Sequence, residues 1–255
     1  MEPGVNLVKV RKYGTGRWED LSESLIAEKP VSLTVNGEAW LTFLCTPVDL
    51  DALAAGFLFN ENLIQSADEL ASIHVCPPGD NVDVWTSHVI ERPKTWRRTT
   101  GCAGGMTAEP GAETRRAVDL CEVRLNADQI INLAQQLFAY QELFRQAGGV
   151  HTSALSDGQS ILVSAEDIGR HNTLDKIAGK CLLRSLNPAQ RVLLTTGRVS
   201  SDMIQKAARM KASVVISRTS PSTLSVEIAG EVGITLIGYA RRDRFSIYAH
   251  SERVV

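Results

Sequence analysis

The chain has 255 residues, of which 44% are hydrophobic and 22% are charged, and its net charge is −2. This composition is typical of globular proteins and excludes an intrinsically disordered chain. No apolar stretch of about eighteen residues could span a bilayer, and residues 1–20 lack the apolar run of a signal peptide. We therefore expect a cytoplasmic protein that does not bind membranes.

Positive charge is concentrated towards the C-terminus. From Lys180 to the end, twelve Lys and Arg residues accompany five Asp and Glu residues, a net +7 that leaves −9 for the rest. Most single Lys and Arg side chains are only solvated surface charges, but an excess of this size favours an anionic ligand. We expect a small phosphate-bearing ligand in this region and no nucleic acid.

The cysteines indicate reduced thiols. They are Cys45, Cys76, Cys102, Cys121 and Cys181. Their odd number and scattered positions argue against a disulfide scaffold, and the absence of CxxC and of closely spaced Cys and His residues predicts no metal site. Cys45, Cys121 and Cys181 lie on apolar faces of predicted elements and should be core residues. Cys76 precedes a Pro-Pro-Gly turn and should be exposed.

The first half of the chain predicts a small α+β domain. Residues 31–45 alternate around Asn36-Gly37, a dipeptide that suits a type I′ turn, so we predict a β-hairpin. Apolar residues at helical spacing predict a helix over 49–63 that packs on this hairpin. Further strands are expected at 73–75, 82–87 and 117–125.

The second half predicts an α/β domain. Asn126 and Gln129 form a capping box, and the helix that begins there should run to Gly148. Strands and helices then alternate, which predicts a mostly parallel sheet covered by helices. The expected strands are 159–164, 191–195, 213–217 and 234–240, and the expected helices are 169–184, 200–210 and 221–231. We place the domain boundary so that the domains are 1–125 and 126–255.

Polar segments follow each predicted strand of the second half. They read EDIGRH, TGRVSSDM, RTSPST and ARRDR in chain order. Ligands of open α/β sheets bind at the carboxyl ends of the strands, and helix starts favour anions, so these segments predict a phosphate-binding edge. The arginines in this set are Arg170, Arg198, Arg218, Arg241, Arg242 and Arg244.

Cys102 is the candidate nucleophile. It lies in the segment TTGCAGGM, residues 99–106, and Arg97 and Arg98 come just before it. Glycines on both sides indicate a tight, exposed turn, and nearby guanidinium and backbone N–H groups would favour the thiolate. An incidental loop cysteine is the alternative interpretation.

Residues 166–176, EDIGRHNTLDK, carry many functional groups at a strand-to-helix transition. His171 is a candidate general acid or base, and Arg170 is a candidate anion clamp. Asp175, four residues after His171, would orient its imidazole. An interdomain salt-bridge network with a capped helix is the alternative. His151 either lines the same cleft or satisfies a turn.

Taken in order, TTGCAGG, GGVHTSAL, EDIGRHNTLDK, TTGRVSSDM, SRTSPS and YARRDRFSIY resemble the formate dehydrogenase accessory sulfurtransferases, the FdhD family. The resemblance spans nearly the whole chain. It implies a smaller N-terminal α+β domain, a cytidine-deaminase-like α/β C-terminal domain and a homodimer. The zinc motif of the deaminases is absent, so the resemblance in fold does not imply deamination.

The resemblance also implies a function. Members of the family accept persulfide sulfur from a cysteine desulfurase and pass it to the molybdenum or tungsten cofactor of formate dehydrogenase, Mo-bis(molybdopterin guanine dinucleotide). The matching persulfide position is Cys102. Many relatives have a second cysteine where this chain has Gly105, so a dithiol mechanism is not expected. The matching cofactor-binding residues are Tyr239, Ala240, Arg241, Arg242, Asp243 and Arg244.

Three functions therefore compete. The first is a sulfurtransferase in which Cys102 carries the sulfur and the strand-end residues hold the guanine nucleotide part of the cofactor. Besides the matching segment, those residues are Arg170, His171, Arg198 and Arg218. The second is a non-catalytic cofactor-binding chaperone. The third is a nucleotide-modifying enzyme that uses His171 and Asp175.

Overall fold

A computed structural model of the chain describes residues 4–94, 96–98, 106–108 and 122–255. It confirms the mixed α/β class, with a four-stranded sheet in the N-terminal half and a six-stranded sheet in the C-terminal half. Within the described ranges, no helix is both long and apolar enough to cross a membrane.

The chain begins with a two-stranded arm that the sequence pattern did not predict. Its antiparallel strands are β1, Val5–Gly14, and β2, Arg17–Ile26. Large apolar side chains such as those of Leu7, Tyr13 and Trp18 are exposed. Neither face of the arm is buried, and the apolar residues of β1 lie on both faces, so the strand lacks the single apolar face by which a half-buried strand is recognised.

The four-stranded sheet has the order β4-β3-β6-β5. Its strands are β3, Lys29–Val35, β4, Glu38–Cys45, β5, Leu70–Val75, and β6, Asn81–Thr86. The predicted hairpin is confirmed, and Asn36 and Gly37 have positive φ angles of 50° and 82° at its turn. The predicted helix is α1, Leu50–Asn60, whose Phe57 ring packs edge-on against Phe43.

Two short strands, β7, Trp96–Arg98, and β8, Met106–Ala108, pair with each other in an antiparallel arrangement. The strand expected at 117–125 falls partly outside the described residues. Where it is described, from 122 onwards, it is not a strand, and Leu125 forms only an isolated bridge with Val254. The apolar side chains of Val123 and Leu125 pack in the core of the C-terminal half instead. The domain boundary stays a prediction.

The six-stranded sheet has the order β10-β9-β11-β12-β13-β14. Its strands are β9, His151–Ser156, β10, Ile161–Asp167, β11, Val192–Thr195, β12, Val214–Ser217, β13, Thr235–Arg241, and β14, Arg244–Ala249. The four predicted strands point the same way, but only β11, β12 and β13 pair in parallel, and the unpredicted β9 and β14 run antiparallel to their neighbours, so the sheet is mixed and not mostly parallel. Short turns join β9 to β10 and β13 to β14, and such turns can only connect antiparallel strands.

Helices cover both faces of this sheet. They are α2, Ala127–Gln136, α3, Glu142–Ala147, α4, Arg170–Leu183, α5, Ser201–Arg209, and α6, Thr223–Val232. Apolar residues of α4, α5 and α6 pack on one face, and those of α2 pack on the other. The capping box of Asn126 and Gln129 is confirmed at the start of α2.

The helix expected to run to Gly148 is interrupted. A 3-10 turn, Leu137–Tyr140, follows α2, and Gln141 then leaves the helical conformation with φ −91° and ψ 70°. The buried Gln141 side chain donates to Thr152 Oγ1 at 3.2 Å. This tertiary bond stabilises the break at a position where the sequence contains neither Gly nor Pro.

The two halves meet where α1 crosses α4. A Cβ atom on Gly56 would lie 1.7 Å from the carbonyl oxygen of Asp175, and one on Gly179 would lie 1.9 Å from that of Ala52. The helix backbones are therefore in direct contact, and this contact requires glycine at both positions.

Candidate functional site

The carboxyl ends of four strands lie at one edge of the six-stranded sheet. Because β9 runs antiparallel to both β10 and β11, β10 points the same way as β11, β12 and β13. The loops at this edge are bonded to each other: Val199 N donates to Ser220 O at 3.2 Å, and Tyr239 N donates to Thr219 O at 3.1 Å. The structure thus brings the predicted polar segments together, and we call this region the strand-end edge.

Part of the EDIGRHNTLDK segment joins the two halves instead of facing this edge. Lys176 and Asp167 form a fully buried ion pair at 2.6 Å. Lys176 also donates to Thr46 O at 3.0 Å, and Asp167 accepts from Thr46 N at 3.1 Å. These residues form a buried ion-pair network between the two halves, as the alternative interpretation of the segment expected, but no side chain of the described residues caps α4.

The predicted pairing of His171 with Asp175 is wrong. Asp175 accepts two hydrogen bonds of 2.7 Å from Lys206 and one of 2.8 Å from Asn60. Burial lowers the pKa of Lys206, but Asp175 and Glu61 together raise it above its ordinary value, so Lys206 stays protonated. The buried ammonium of α5 is a stronger partner for Asp175 than a neutral imidazole.

His171 lies at the start of α4 and is buried, with 3% of its surface exposed. Its Nε2 atom is 3.1 Å from Ser200 Oγ, at the start of α5, and its Nδ1 atom has no hydrogen-bond partner in the described chain. Burial lowers the pKa of His171 to about 2, and the charges of Lys206 and Arg170 contribute. The imidazole is therefore neutral near pH 7, which excludes a protonated general acid.

His151 and Arg170 belong to the same cluster. Gly197, in the loop after β11, is so close that a Cβ atom there would lie 3.0 Å from Arg170 Cβ and 3.4 Å from His151 Nδ1. Burial lowers the pKa of His151, and Arg170 lowers it further. His151 thus lies beside Arg170, as one of its two interpretations proposed, at the first residue of the unpredicted strand β9.

Five arginines of the strand-end edge have no acidic partner among the residues that the structure describes. Arg241 Nε donates to the carbonyl oxygen of Arg218 at 2.9 Å, which holds the two side chains together. Burial lowers the pKa of Arg218, and the neighbouring charge of Arg241 adds to this effect. Within the described chain, five arginines of this edge form no ion pair with a carboxylate: Arg198, Arg218, Arg241, Arg242 and Arg244.

The segment 239–244 forms the end of β13, a turn and the start of β14. Tyr239 and Arg242 have left-handed φ angles of 52° and 51°, and the pairing of β13 with β14 shifts register here. This irregular backbone exposes Tyr239, Arg241, Arg242, Asp243 and Arg244, whereas the side chain of Ala240 is buried. Ala240 can therefore offer a ligand only its backbone.

Phe138 is a member of the site that the sequence analysis did not identify. Its ring lies beneath the Arg218 guanidinium, with 3.9 Å between the ring centroid and Cζ. The sequence signal was an aromatic residue within a predicted amphipathic helix, which by itself indicates core packing.

The described cysteines differ in their capacity to form a thiolate. Burial raises the pKa of Cys45 to about 12 and that of Cys181 to about 11. Cys76 is partly exposed, and its sulfur is 3.9 Å from Asn81 Nδ2. Cys102 lies between β7 and β8 in the sequence, and both it and Cys121 lie outside the described residues.

A cavity of about 690 Å³ lies between residues 65–68 and the C-terminal ends of α4 and α5. Its arginines are already engaged by backbone carbonyls: Arg191 donates to Met210 O at 2.7 Å, and Arg209 donates to Phe59 O at 3.0 Å. Arg241 of the strand-end edge, by contrast, uses only its Nε within the described residues, so its two terminal nitrogens are available to an anion.

Comparison with known proteins shows the family and supports the fold. Residues 26–255 match the sequence model of the FdhD/NarQ family. The chain is 33% identical over 250 residues to the sulfur carrier protein FdhD of Staphylococcus aureus strain MRSA252, which covers 96% of this chain and 94% of that protein. The crystal structure of a protein described as a formate dehydrogenase accessory protein of Desulfotalea psychrophila superposes with a TM-score of 0.82 at 28% identity, over 99% of this chain and 100% of the other.

Proposed function

This chain belongs to the FdhD/NarQ family, and we propose that it is a sulfurtransferase that serves formate dehydrogenase. In this proposal Cys102 takes persulfide sulfur from a cysteine desulfurase and passes it to Mo-bis(molybdopterin guanine dinucleotide), the cargo held at the strand-end edge.

The proposed transfer has two balanced steps. The Cys102 thiolate attacks the outer sulfur of the desulfurase persulfide, the old S–S bond breaks, and the desulfurase cysteine leaves as a thiolate. The outer sulfur then moves from Cys102 to the metal centre of the cargo, Cys102 leaves as a thiolate, and the metal supplies the two electrons that reduce the sulfur to sulfide.

The observation that carries the proposal is the group of five arginines at the strand-end edge, Arg198, Arg218, Arg241, Arg242 and Arg244, that form no ion pair with a carboxylate of the described residues. The cargo contains diphosphate groups, and guanidinium groups bind phosphates through paired hydrogen bonds. Arg218 and Arg241 are adjacent, although their charges repel each other. An anion between them would remove this repulsion, which supports a phosphate-bearing ligand.

The other thiols support Cys102 as the carrier. Sulfur transfer needs a thiolate, and the raised pKa values of Cys45 and Cys181 leave almost none of either thiol ionised near pH 7. Cys102, with glycines around it and two arginines before it, has the sequence context that favours ionisation.

Two variants test separately the two parts of the proposal, sulfur transfer by Cys102 and nucleotide binding by the strand-end edge. Intact-protein mass spectrometry after incubation with a cysteine desulfurase and cysteine measures sulfur loading. Titration with GDP measures the affinity for the nucleotide. We expect Cys102→Ala to lose the gain of one sulfur atom and to bind GDP normally. Arg241→Ala should load sulfur normally and bind GDP about tenfold more weakly, because it removes a charged hydrogen-bond donor.

The outcomes distinguish the competing functions. If Cys102→Ala gains as much sulfur as the wild type, Cys102 is not the carrier. If Cys102→Ala still activates formate dehydrogenase in cells, the protein is a cofactor-binding chaperone, the alternative that Gly105 in place of a second cysteine favours. Cys76→Ala is the matched control, since it removes a partly exposed thiol and should load normally.

A further inference from the structure

Phe138 forms an exposed aromatic platform at the strand-end edge. Its side chain is 45% exposed, although a phenylalanine of a short turn could bury its ring in the adjacent core, as Leu137 does. One side of the ring is covered by the Arg218 guanidinium at 3.9 Å. An arginine stacked on an aromatic face keeps all its N–H donors at the periphery of the stack.

The backbone holds Phe138 in this position. The 3-10 turn Leu137–Tyr140 interrupts the helical segment, and Gln141 anchors its end by donating to Thr152 Oγ1 at 3.2 Å. Thr152 Oγ1 in turn donates to Glu166 at 3.3 Å. The turn that carries Phe138 is thus bonded to β9 and β10, the strands at one side of the sheet.

Among the described residues, Phe138 is the group that orients the Arg218 guanidinium. The guanidinium forms no ion pair within the described chain, its Nε atom is buried without a hydrogen-bond partner, and the nearby Arg241 repels it. A carboxylate in the position of Phe138 would hold the guanidinium but would also neutralise it. The aromatic ring holds it and leaves its charge available to an anion.

We propose that Phe138 is a positioning residue for phosphate binding: its ring holds the Arg218 guanidinium with its donors towards the diphosphate of the nucleotide cargo. This inference rests on the proposed function, because the diphosphate belongs to the cargo proposed there.

GDP titration of the full-length protein tests this role. We expect Phe138→Leu to weaken GDP binding about three- to tenfold, the range of a partly exposed cation–π contact. Phe138→Tyr keeps the ring and should bind within about twofold of the wild type. Phe144→Leu is the matched control, because Phe144 is also exposed, at 47%, and within the described chain no guanidinium stacks on its ring.

A double-mutant cycle separates positioning from general damage to the fold. In an Arg218→Ala background, Phe138→Leu should have no further effect on GDP affinity, because the group that the ring positions is gone. An equal loss in both backgrounds would overturn the inference, as would a Phe138→Leu protein that binds GDP like the wild type. If the wild type itself fails to bind GDP, the proposed cargo site is wrong as well.

Discussion

The role of an arginine in this protein depends on the groups that surround its N–H donors. Arg191 and Arg209 each use at least two guanidinium nitrogens for hydrogen bonds next to the cavity, whereas Arg218 stacks on Phe138 and Arg241, within the described residues, uses only its Nε. Residues of the same type therefore have structural roles in one place and are available to a ligand in another. The local sequence around them does not distinguish these roles.

The imidazole of His171 makes a testable contribution to stability. Its pKa is about 2 in the folded chain and about 6.5 when unfolded, so below pH 6.5 the unfolded chain binds a proton that the folded chain does not. The free energy of unfolding should therefore be highest above pH 6.5 and should fall with acidification, by up to about 1.4 kcal/mol per pH unit from this group. Burial lowers the pKa of His151 too, which adds in the same direction.

Urea unfolding between pH 7.5 and 5.0 measures this dependence. His171→Gln removes the titrating group and keeps an amide that can bond to Ser200, so we expect a shallower decline than in the wild type. Identical slopes for the two proteins would show that His171 is accessible to protons in the folded state.

At the scale of elements, the crossing of α1 and α4 determines how the two halves pack. Both helices were predicted from apolar periodicity, and both are confirmed. Their approach depends on Gly56 and Gly179, and the periodicity does not reveal that these glycines face each other. In a helix a glycine is unfavourable by itself, and here backbone contact is the compensating gain.

Two alanine substitutions separate the intrinsic cost of a helical glycine from the gain of the close contact between α1 and α4. Gly56→Ala should lower the free energy of unfolding by at least about 3 kcal/mol, because its Cβ would overlap the Asp175 carbonyl of α4. Gly230→Ala, in α6, has open space within 4 Å of the new Cβ and should raise stability by about 0.5–1 kcal/mol. Urea unfolding gives both values, and a mild loss in Gly56→Ala would mean that α1 can move away from α4.

For the whole molecule, buried charges connect the halves. Lys176 and Asp167 are fully buried, and both bond to Thr46 of the N-terminal half. Such a pair is weak evidence for stability compared with an apolar core, but removing one partner leaves an uncompensated buried charge. We therefore expect the halves to unfold in one cooperative transition.

Lys176→Met should lower the free energy of unfolding by about 3–5 kcal/mol, because it leaves the Asp167 carboxylate buried without its cation. Lys12→Met is the matched control: its ion pair with Glu23 is also short, at 2.7 Å, but exposed, so its loss should not measurably change stability. Urea unfolding followed by fluorescence and circular dichroism measures both variants. Two separate transitions in the wild type would contradict the cooperative coupling.

The sequence by itself determined the features that depend on neighbouring residues. The Asn36-Gly37 hairpin, the capping box at Asn126, most strands and helices and the grouping of polar segments at one sheet edge follow from propensities and periodicities that act over a few residues. The family was also recognisable, because its motifs are short stretches in a constant order. The mixed directions of the strands could not be recognised from the sequence. The strand β9 is buried on both sides and contains polar residues, so it lacks the alternation of apolar and polar residues that marks a half-buried strand.

Only the tertiary structure decided which side chains meet. It paired Asp175 with Lys206 instead of His171, ended a helix at Gln141 through a bond to Thr152, and placed Phe138 beneath Arg218. Each of these contacts joins residues of different elements. A buried polar group bonds to the best partner that the packing brings within reach. The local sequence does not show which partners the packing will bring close.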